Sequence, residues 1–232
     1  RVAGFEALAR WRHAERGLIS PGSFIPLAEE TGMICRIGEW AIRTAAREFA
    51  DWPGGETVAV NIDPSQICSR GFAAFVRGVL KETGLAPGRL ELEVTETGLI
   101  GDMHMAREVV EELRAIGVKV AIDDYGTGHA SLETLFEIPL DRIKLDQTFV
   151  RRFEREPRSR QTIRAVAALA RELGQDLLAE GVETPEQLAF LRACGYGHVQ
   201  GYLFSRPVSV AVARARYRDG PDAAGCALGE AA

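Results

Sequence analysis

The chain has 232 residues, of which 46% are hydrophobic, 26% charged and 7% aromatic. That is enough to bury one sizeable core, and a single barrel or doubly wound domain fits it better than two small ones. Lys and Arg total 28 against 33 Asp and Glu, a formal net charge of −5, which disfavours gripping long nucleic acid by charge alone. No apolar run approaches the roughly 18 residues of a membrane span, and Gly and Pro, at 24 and 10, are too few for a collagen-like or low-complexity chain.

From the N-terminus, a strand-type run at Val2–Leu8 precedes helical patterns at Pro21–Glu30 and Arg36–Asp51. Strand-type runs then alternate with helices: Thr57–Ile62, helix Gly71–Thr83, Leu90–Val94, helix Met103–Ile116, Val118–Ile122 and Arg142–Leu145. Helix Arg158–Leu173, strand Asp176–Ala179, helix Pro185–Ala193 and strand His198–Gln200 complete the series. Gly84, Gly117, Gly174 and Gly195 each follow a helical run as stops, and Thr184-Pro185 is an N-cap with Pro in the first turn. Strands alternating with helices predict βαβ units and a parallel sheet. One domain over residues 1–215 is expected, with a loose Gly/Ala/Asp-rich tail over 216–232.

Polar residues fall at the C-terminal end of nearly every strand: Glu6, Asn61, Glu93, Asp123, Lys144, Glu180 and Gln200. An open doubly wound sheet gathers its ligands mainly at one switch point, whereas a (β/α)8 barrel collects them from all strand ends into one mouth. The pattern therefore predicts a TIM-like barrel. Only seven strands are counted, and the deficit is placed before residue 1. With no initiator Met, the chain reads as a segment of something longer.

In such a mouth Glu6, Glu93, Asp123, Asp124 and Glu180 would repel one another and raise their pKa values unless positive charge occupied it. Oxygen donors without His or Cys suit Mg²⁺ or Mn²⁺ rather than zinc. Adjacent Asp123 and Asp124 would let one carboxylate bridge two ions, as in two-metal phosphoester hydrolysis. Lys144 would orient the attacking water or neutralise developing charge. Each residue also has a plainer reading. A strand-end acid is often a helix N-cap, Asn61 before Ile62-Asp63-Pro64 can start a turn, Lys144 and Asp146 can be a surface pair, and Gln200 can bond within the barrel wall. Cys35, Cys68, Cys194 and Cys226 are scattered, with no CxxC. A disulfide framework or thiolate zinc site is not expected, and a reducing cytoplasm is the simplest compartment.

Phe5-Glu6-Ala7-Leu8-Ala9-Arg10-Trp11 resembles the signature of the EAL-domain family, the cyclic di-GMP phosphodiesterases. The resemblance continues through Val60-Asn61-Ile62, Leu92-Glu93-Val94-Thr95-Glu96, Ile122-Asp123-Asp124-Tyr125-Gly126-Thr127-Gly128 and Ile143-Lys144-Leu145-Asp146. Ala179-Glu180-Gly181-Val182-Glu183-Thr184 and Gln200-Gly201-Tyr202 complete it, so seven motifs in order span residues 1 to about 210. The resemblance implies a modified (β/α)8 barrel with one antiparallel strand, here lacking its first helix and strand. It implies two Mg²⁺ or Mn²⁺ ions, one held by Glu6, Asn61, Glu93 and Asp123 and the other by Asp123, Asp124 and Glu180. Hydrolysis of cyclic di-GMP to linear pGpG follows, with Lys144, Glu180 and Glu6 as the catalytic set and Ca²⁺ inhibitory.

The same resemblance assigns Arg10, Leu8 and Gln200 to the substrate side, Arg10 as a guanidinium fork for a phosphate. Glu183 is assigned a place behind the metal ligands. Glu96 would anchor the loop after Asp123 and so place Asp124; from spacing alone it reads equally as an acid at a helix start. Departures from the family pattern are Tyr125 for Phe, His129-Ala130 for Tyr-Ser, and Ala9 for a larger aliphatic. The missing first strand would leave unpaired edges, to be covered by a partner or by chain outside the segment. The resemblance also implies a homodimer, sensory or cyclase domains elsewhere in the full protein, and no membrane contact by this segment. A cyclic di-GMP sensor that does not hydrolyse is the alternative; a different two-metal barrel hydrolase is more distant.

Overall fold

In a computed structural model of the chain, residues 1–52, 54–96, 99, 101–126 and 132–218 are described. Strand β1 (Gly4–Ala7) is followed by a two-stranded ribbon, β2 (Trp11–His13) and β3 (Gly17–Ile19), then by helices α1 (Pro21–Glu30) and α2 (Ile34–Ala50). Next come β4 (Thr57–Ile62), α3 (Pro64–Ile67), α4 (Phe72–Thr83), β5 (Leu90–Thr95) and α5 (Met103–Ile116). The chain continues through β6 (Lys119–Tyr125), α6 (Leu132–Glu137), β7 (Arg142–Leu145), α7 (Gln147–Arg152) and α8 (Pro157–Leu173). Last are β8 (Asp176–Ala179), α9 (Pro185–Ala193), β9 (His198–Val199) and α10 (Val210–Arg218).

Seven strands form one sheet in the order β1-β4-β5-β6-β7-β8-β9. This is a parallel, curled, TIM-like sheet with helices. All its pairings are parallel, so the antiparallel strand that the resemblance implies is not among the seven. The antiparallel pairing lies instead in the β2–β3 ribbon, with Trp11 opposite Ile19 and His13 opposite Gly17. Strands of three residues are too short to carry a period, and so the spacing missed them. The turn between them is held by His13, whose Nδ1 accepts from the backbone N–H of Glu15 at 3.2 Å and of Arg16 at 3.3 Å.

Strand residues alternate between two faces. On the helix side, Val58, Val60, Leu90, Leu92, Val94, Val120, Ile122, Ile143 and Leu145 are almost wholly buried. They meet the apolar stripes of α2, α4, α5 and α8, including Ile42, Val76, Leu113 and Ile163, in one continuous core. Helix punctuation follows the sequence signals. Gly84, Gly117 and Gly174 close α4, α5 and α8 in the left-handed region, and Thr184 with Gln187 makes a capping box on α9. A second capping box, Asp63 with Gln66, starts the short α3. The opposite face of the strands carries the polar residues to one end of the sheet.

Candidate active site

Strand β6 shows how two adjacent aspartates come to share a site. Neighbours on a regular strand point to opposite faces, so Asp124 would ordinarily turn away from Asp123. Here the pairing with β7 shifts register between Ile122 and Tyr125, and Asp124 adopts φ 54°, in the left-handed region. A bulge of this kind re-aims a side chain, and the backbone conformation is a costly one for a residue with a Cβ. Carboxylate oxygens of Asp123, Asp124 and Glu180 all lie within 4.8 Å of one another, a grouping able to hold a metal ion.

Lys144 stands at the centre. Its side chain is fully buried, and Nζ lies 2.9 Å from Glu93, 2.9 Å from Asp123 and 2.8 Å from Glu180. The surface-pair reading of Lys144 therefore fails. Burial alone would lower its pKa, but Glu93, Asp123 and Glu180 override this and hold it well above the usual lysine range. One ammonium does not balance the acids around it. Burial first, then the charges of Glu6 and Asp123, push Glu93 up to about 8 against the pull of Lys144. Burial likewise lifts Glu180 up to about 7, again against Lys144. Burial followed by Asp123 and Asp146 brings Asp124 up to about 6.

Glu6 completes the ring from the first strand. Its two oxygens accept from Asn61 Nδ2 at 2.9 Å and from Gln200 Nε2 at 2.6 Å. Behind Asp124, the buried carboxylate of Glu96 accepts the backbone N–H of Gly126 at 3.2 Å. Gly126 has φ 98°, and a Cβ there would press on the Phe149 ring at 2.9 Å. Thr127, Gly128, His129, Ala130 and the tail beyond residue 218 lie outside the described residues.

The remaining expected residues lie further out. Leu8 is exposed, and Arg10 is exposed with Nη1 donating to the Ala9 carbonyl at 2.8 Å. Glu183 is on the surface, 3.6 Å from Arg151, and not among the central acids. Tyr125 is buried, and burial raises its phenol above the ordinary value. Asp146, which the sequence offers only as a surface partner of Lys144, lies beside the central acids. It is buried, caps α7 by accepting the Thr148 N–H at 2.9 Å, and hydrogen-bonds the side chain of Asp124. Its position one full strand alternation after Lys144 is the signal that finds it.

A curled parallel sheet whose strand ends bring five carboxylates, two carboxamides and one buried lysine together defines an acidic, metal-accepting α/β site. The chain belongs to the EAL domain family, whose model matches residues 1–207. MucR of Pseudomonas aeruginosa, a bifunctional diguanylate cyclase/cyclic di-GMP phosphodiesterase, is 40% identical over 211 residues, covering 89% of this chain and 31% of that protein. The cyclic di-GMP phosphodiesterase NbdA of the same organism is 43% identical over 214 residues, covering 90% and 27%. The structure of the PaMucR phosphodiesterase in complex with cyclic di-GMP matches with TM-score 0.86 at 39% identity, over 91% of this chain and 87% of that one. This chain thus spans roughly a quarter to a third of the curated relatives it matches. Among the described residues no helix is long and apolar enough to cross a membrane.

Proposed function

We propose that this chain is a divalent-metal-dependent phosphodiesterase that hydrolyses cyclic di-GMP to linear pGpG. The observation that carries the reading is Lys144, buried and ion-paired to Glu93, Asp123 and Glu180 at once. Such a lysine is expensive to bury, and here it still leaves the surrounding acids with raised pKa values. The residual negative charge and the all-oxygen donor set fit hard divalent cations, Mg²⁺ or Mn²⁺. Glu6, Asn61, Glu93 and Asp123 would hold one ion, and Asp123, Asp124 and Glu180 a second. Bound there, the ions supply Lewis acidity and lower the pKa of water.

The chain's own residues do the rest. Lys144 holds the attacking water in place and donates to the charge that grows on the phosphoryl oxygens. Glu180, 2.8 Å from Lys144 Nζ, is the carboxylate that would take the proton of the attacking water. Gln200 and Asn61 fix both oxygens of Glu6. Arg10, exposed beyond the Glu6 strand, is the guanidinium for a substrate phosphate, with Leu8 beside it. Glu96 acts through Gly126 to place Asp124. In the full-length protein we place this domain in the cytoplasm, working as a homodimer beside sensory or cyclase domains.

The test is hydrolysis of cyclic di-GMP by the purified chain with Mg²⁺ or Mn²⁺, then with Ca²⁺, beside Glu6→Ala. Conversion to pGpG that needs Mg²⁺ or Mn²⁺, stops with Ca²⁺ and is lost in the variant is the expected result. Metal-dependent binding of intact cyclic di-GMP without turnover would replace the hydrolase with a sensor.

A further inference from the structure

A second charged layer lies beneath the acids. Residues two apart on a strand face the same way, so Glu91 sits one layer below Glu93 on β5 and Arg142 one layer below Lys144 on β7. Strand β6 runs between β5 and β7. On it, Lys119 is in register with Glu91, and Ala121 is in register with both Glu93 and Arg142. A methyl group there leaves room for Arg142 to reach across β6, and its Nη1 lies 2.8 Å from Glu91 Oε1. The Arg142 side chain is 9% exposed and that of Glu91 1%. The guanidinium also lies 3.6 Å from the exposed carboxylate of Asp176.

This pair is not saturated. Glu91 Oε2 and Arg142 Nε are both buried without a hydrogen-bond partner, so Glu91 keeps an acceptor free inside the sheet. Burial raises the Glu91 pKa, and after Arg142 the cations whose charge reaches it are Lys119 and then Lys144. A lysine is a compact charge on a flexible stem, free to follow the stronger carboxylate. Its useful position is above, among Glu93, Asp123 and Glu180.

We propose that Arg142 is a positioning residue for Lys144: by neutralising Glu91 in the layer below, it keeps the Lys144 ammonium committed to the three acids of the mouth. The proposal deepens, and rests on, the reading of Lys144 as the group that serves hydrolysis. Remove Arg142, and Glu91 becomes a buried carboxylate answered by Lys119, half-buried in register with it, and by Lys144 above, which is drawn down and out of place. Remove Glu91 as well, and the competitor is gone.

The experiment reads Lys144 and the reaction separately. Nitrogen-15 NMR of the lysine ammonium groups in metal-free protein follows Lys144, and steady-state hydrolysis of cyclic di-GMP with Mn²⁺ gives kcat and KM. Arg142→Gln is expected to shift the Lys144 resonance and lower kcat about tenfold or more, with KM within about twofold. The double variant Arg142→Gln, Glu91→Gln is expected to return the resonance and to bring kcat within about threefold of wild type, a strong non-additivity. Glu91→Gln alone should change little. An unmoved resonance and kcat in Arg142→Gln, or a double variant as slow as that single one, overturns the proposal, even if melting temperatures fall throughout. Should Arg142→Gln not fold, Arg142→Lys leaves Glu91 partly compensated on a shorter arm. It should shift the resonance less, in the same direction, and Glu91→Gln should cancel the shift; an unmoved resonance again overturns the proposal. A wild-type chain without turnover would refute the hydrolase reading, while the NMR comparison would still decide the role of Arg142.

Discussion

Gln200 donates to Glu6 at 2.6 Å across 194 positions of sequence, joining the last strand of the main sheet to the first. Among the described residues no backbone ladder connects those two edges, β9 and β1. The same bond fixes one oxygen of Glu6, while Asn61 fixes the other, so two carboxamides orient a proposed metal ligand and one of them also links the two ends of the sheet. Gln200→Ala is therefore expected to weaken Mn²⁺ binding about tenfold or more, the scale at which lost outer hydrogen bonds are felt. Isothermal titration calorimetry on the two proteins measures it, and unchanged affinity would show that Glu6 orients itself.

Lys144 is the sole cation within ion-pair distance of Glu93, Asp123 and Glu180 among the described residues. Replacing it with Met leaves buried carboxylates facing one another. In metal-free protein at pH 8, Lys144→Met should lose about 3 kcal/mol of stability, the cost of breaking a buried pair from one side. Urea denaturation with and without Mn²⁺ is the check. Added metal should recover much of the loss, because it supplies positive charge to the same oxygens.

The proposed metal would compete with protons for the same acids. Glu93, Glu180 and Asp124 are raised to about 8, about 7 and about 6 from ordinary values of 4.5, 4.5 and 3.8. Folded chain thus binds more protons than unfolded chain between those ordinary values and about pH 8, so metal-free stability falls as pH rises through that window. Metal binding requires the carboxylates ionised, so Mn²⁺ affinity should climb from pH 6 to pH 8 with net release of protons at pH 7. Calorimetry in two buffers of different ionisation enthalpy counts the protons. A count of zero at pH 7 contradicts the shifts.

Gly201 is a position where backbone meets backbone. A Cβ there would overlap the main-chain N and O of Val182. Around it, Val182 N–H donates to the Gln200 carbonyl at 3.0 Å and Leu203 N–H to the Val182 carbonyl at 3.0 Å. Gly201→Ala should cost about 1–3 kcal/mol, the usual scale of overpacking. It should also move Gln200 away from Glu6, so that both the melting temperature and Mn²⁺ affinity fall. Loss of stability alone would separate the packing from the site.

The sequence by itself determined the alternation of strands and helices, because apolar periodicity records which face of each element is buried. It also placed Glu6, Asn61, Glu93, Asp123, Lys144 and Glu180 at strand ends, which a parallel curled sheet must gather at one end. Local spacing carried no sign of the rest. The bulge that turns Asp124 beside Asp123 arises from a register shift against β7. The burial of Lys144 depends on three strands converging, and a lone Lys in Ile-Lys-Leu-Asp reads equally as a surface residue. Asp146 meets Asp124 only because β6 and β7 are neighbours, and Gln200 meets Glu6 only because the sheet curls. Periodicity is a property of adjacent residues, whereas these contacts are fixed by register and curvature between strands, and those belong to the tertiary structure alone.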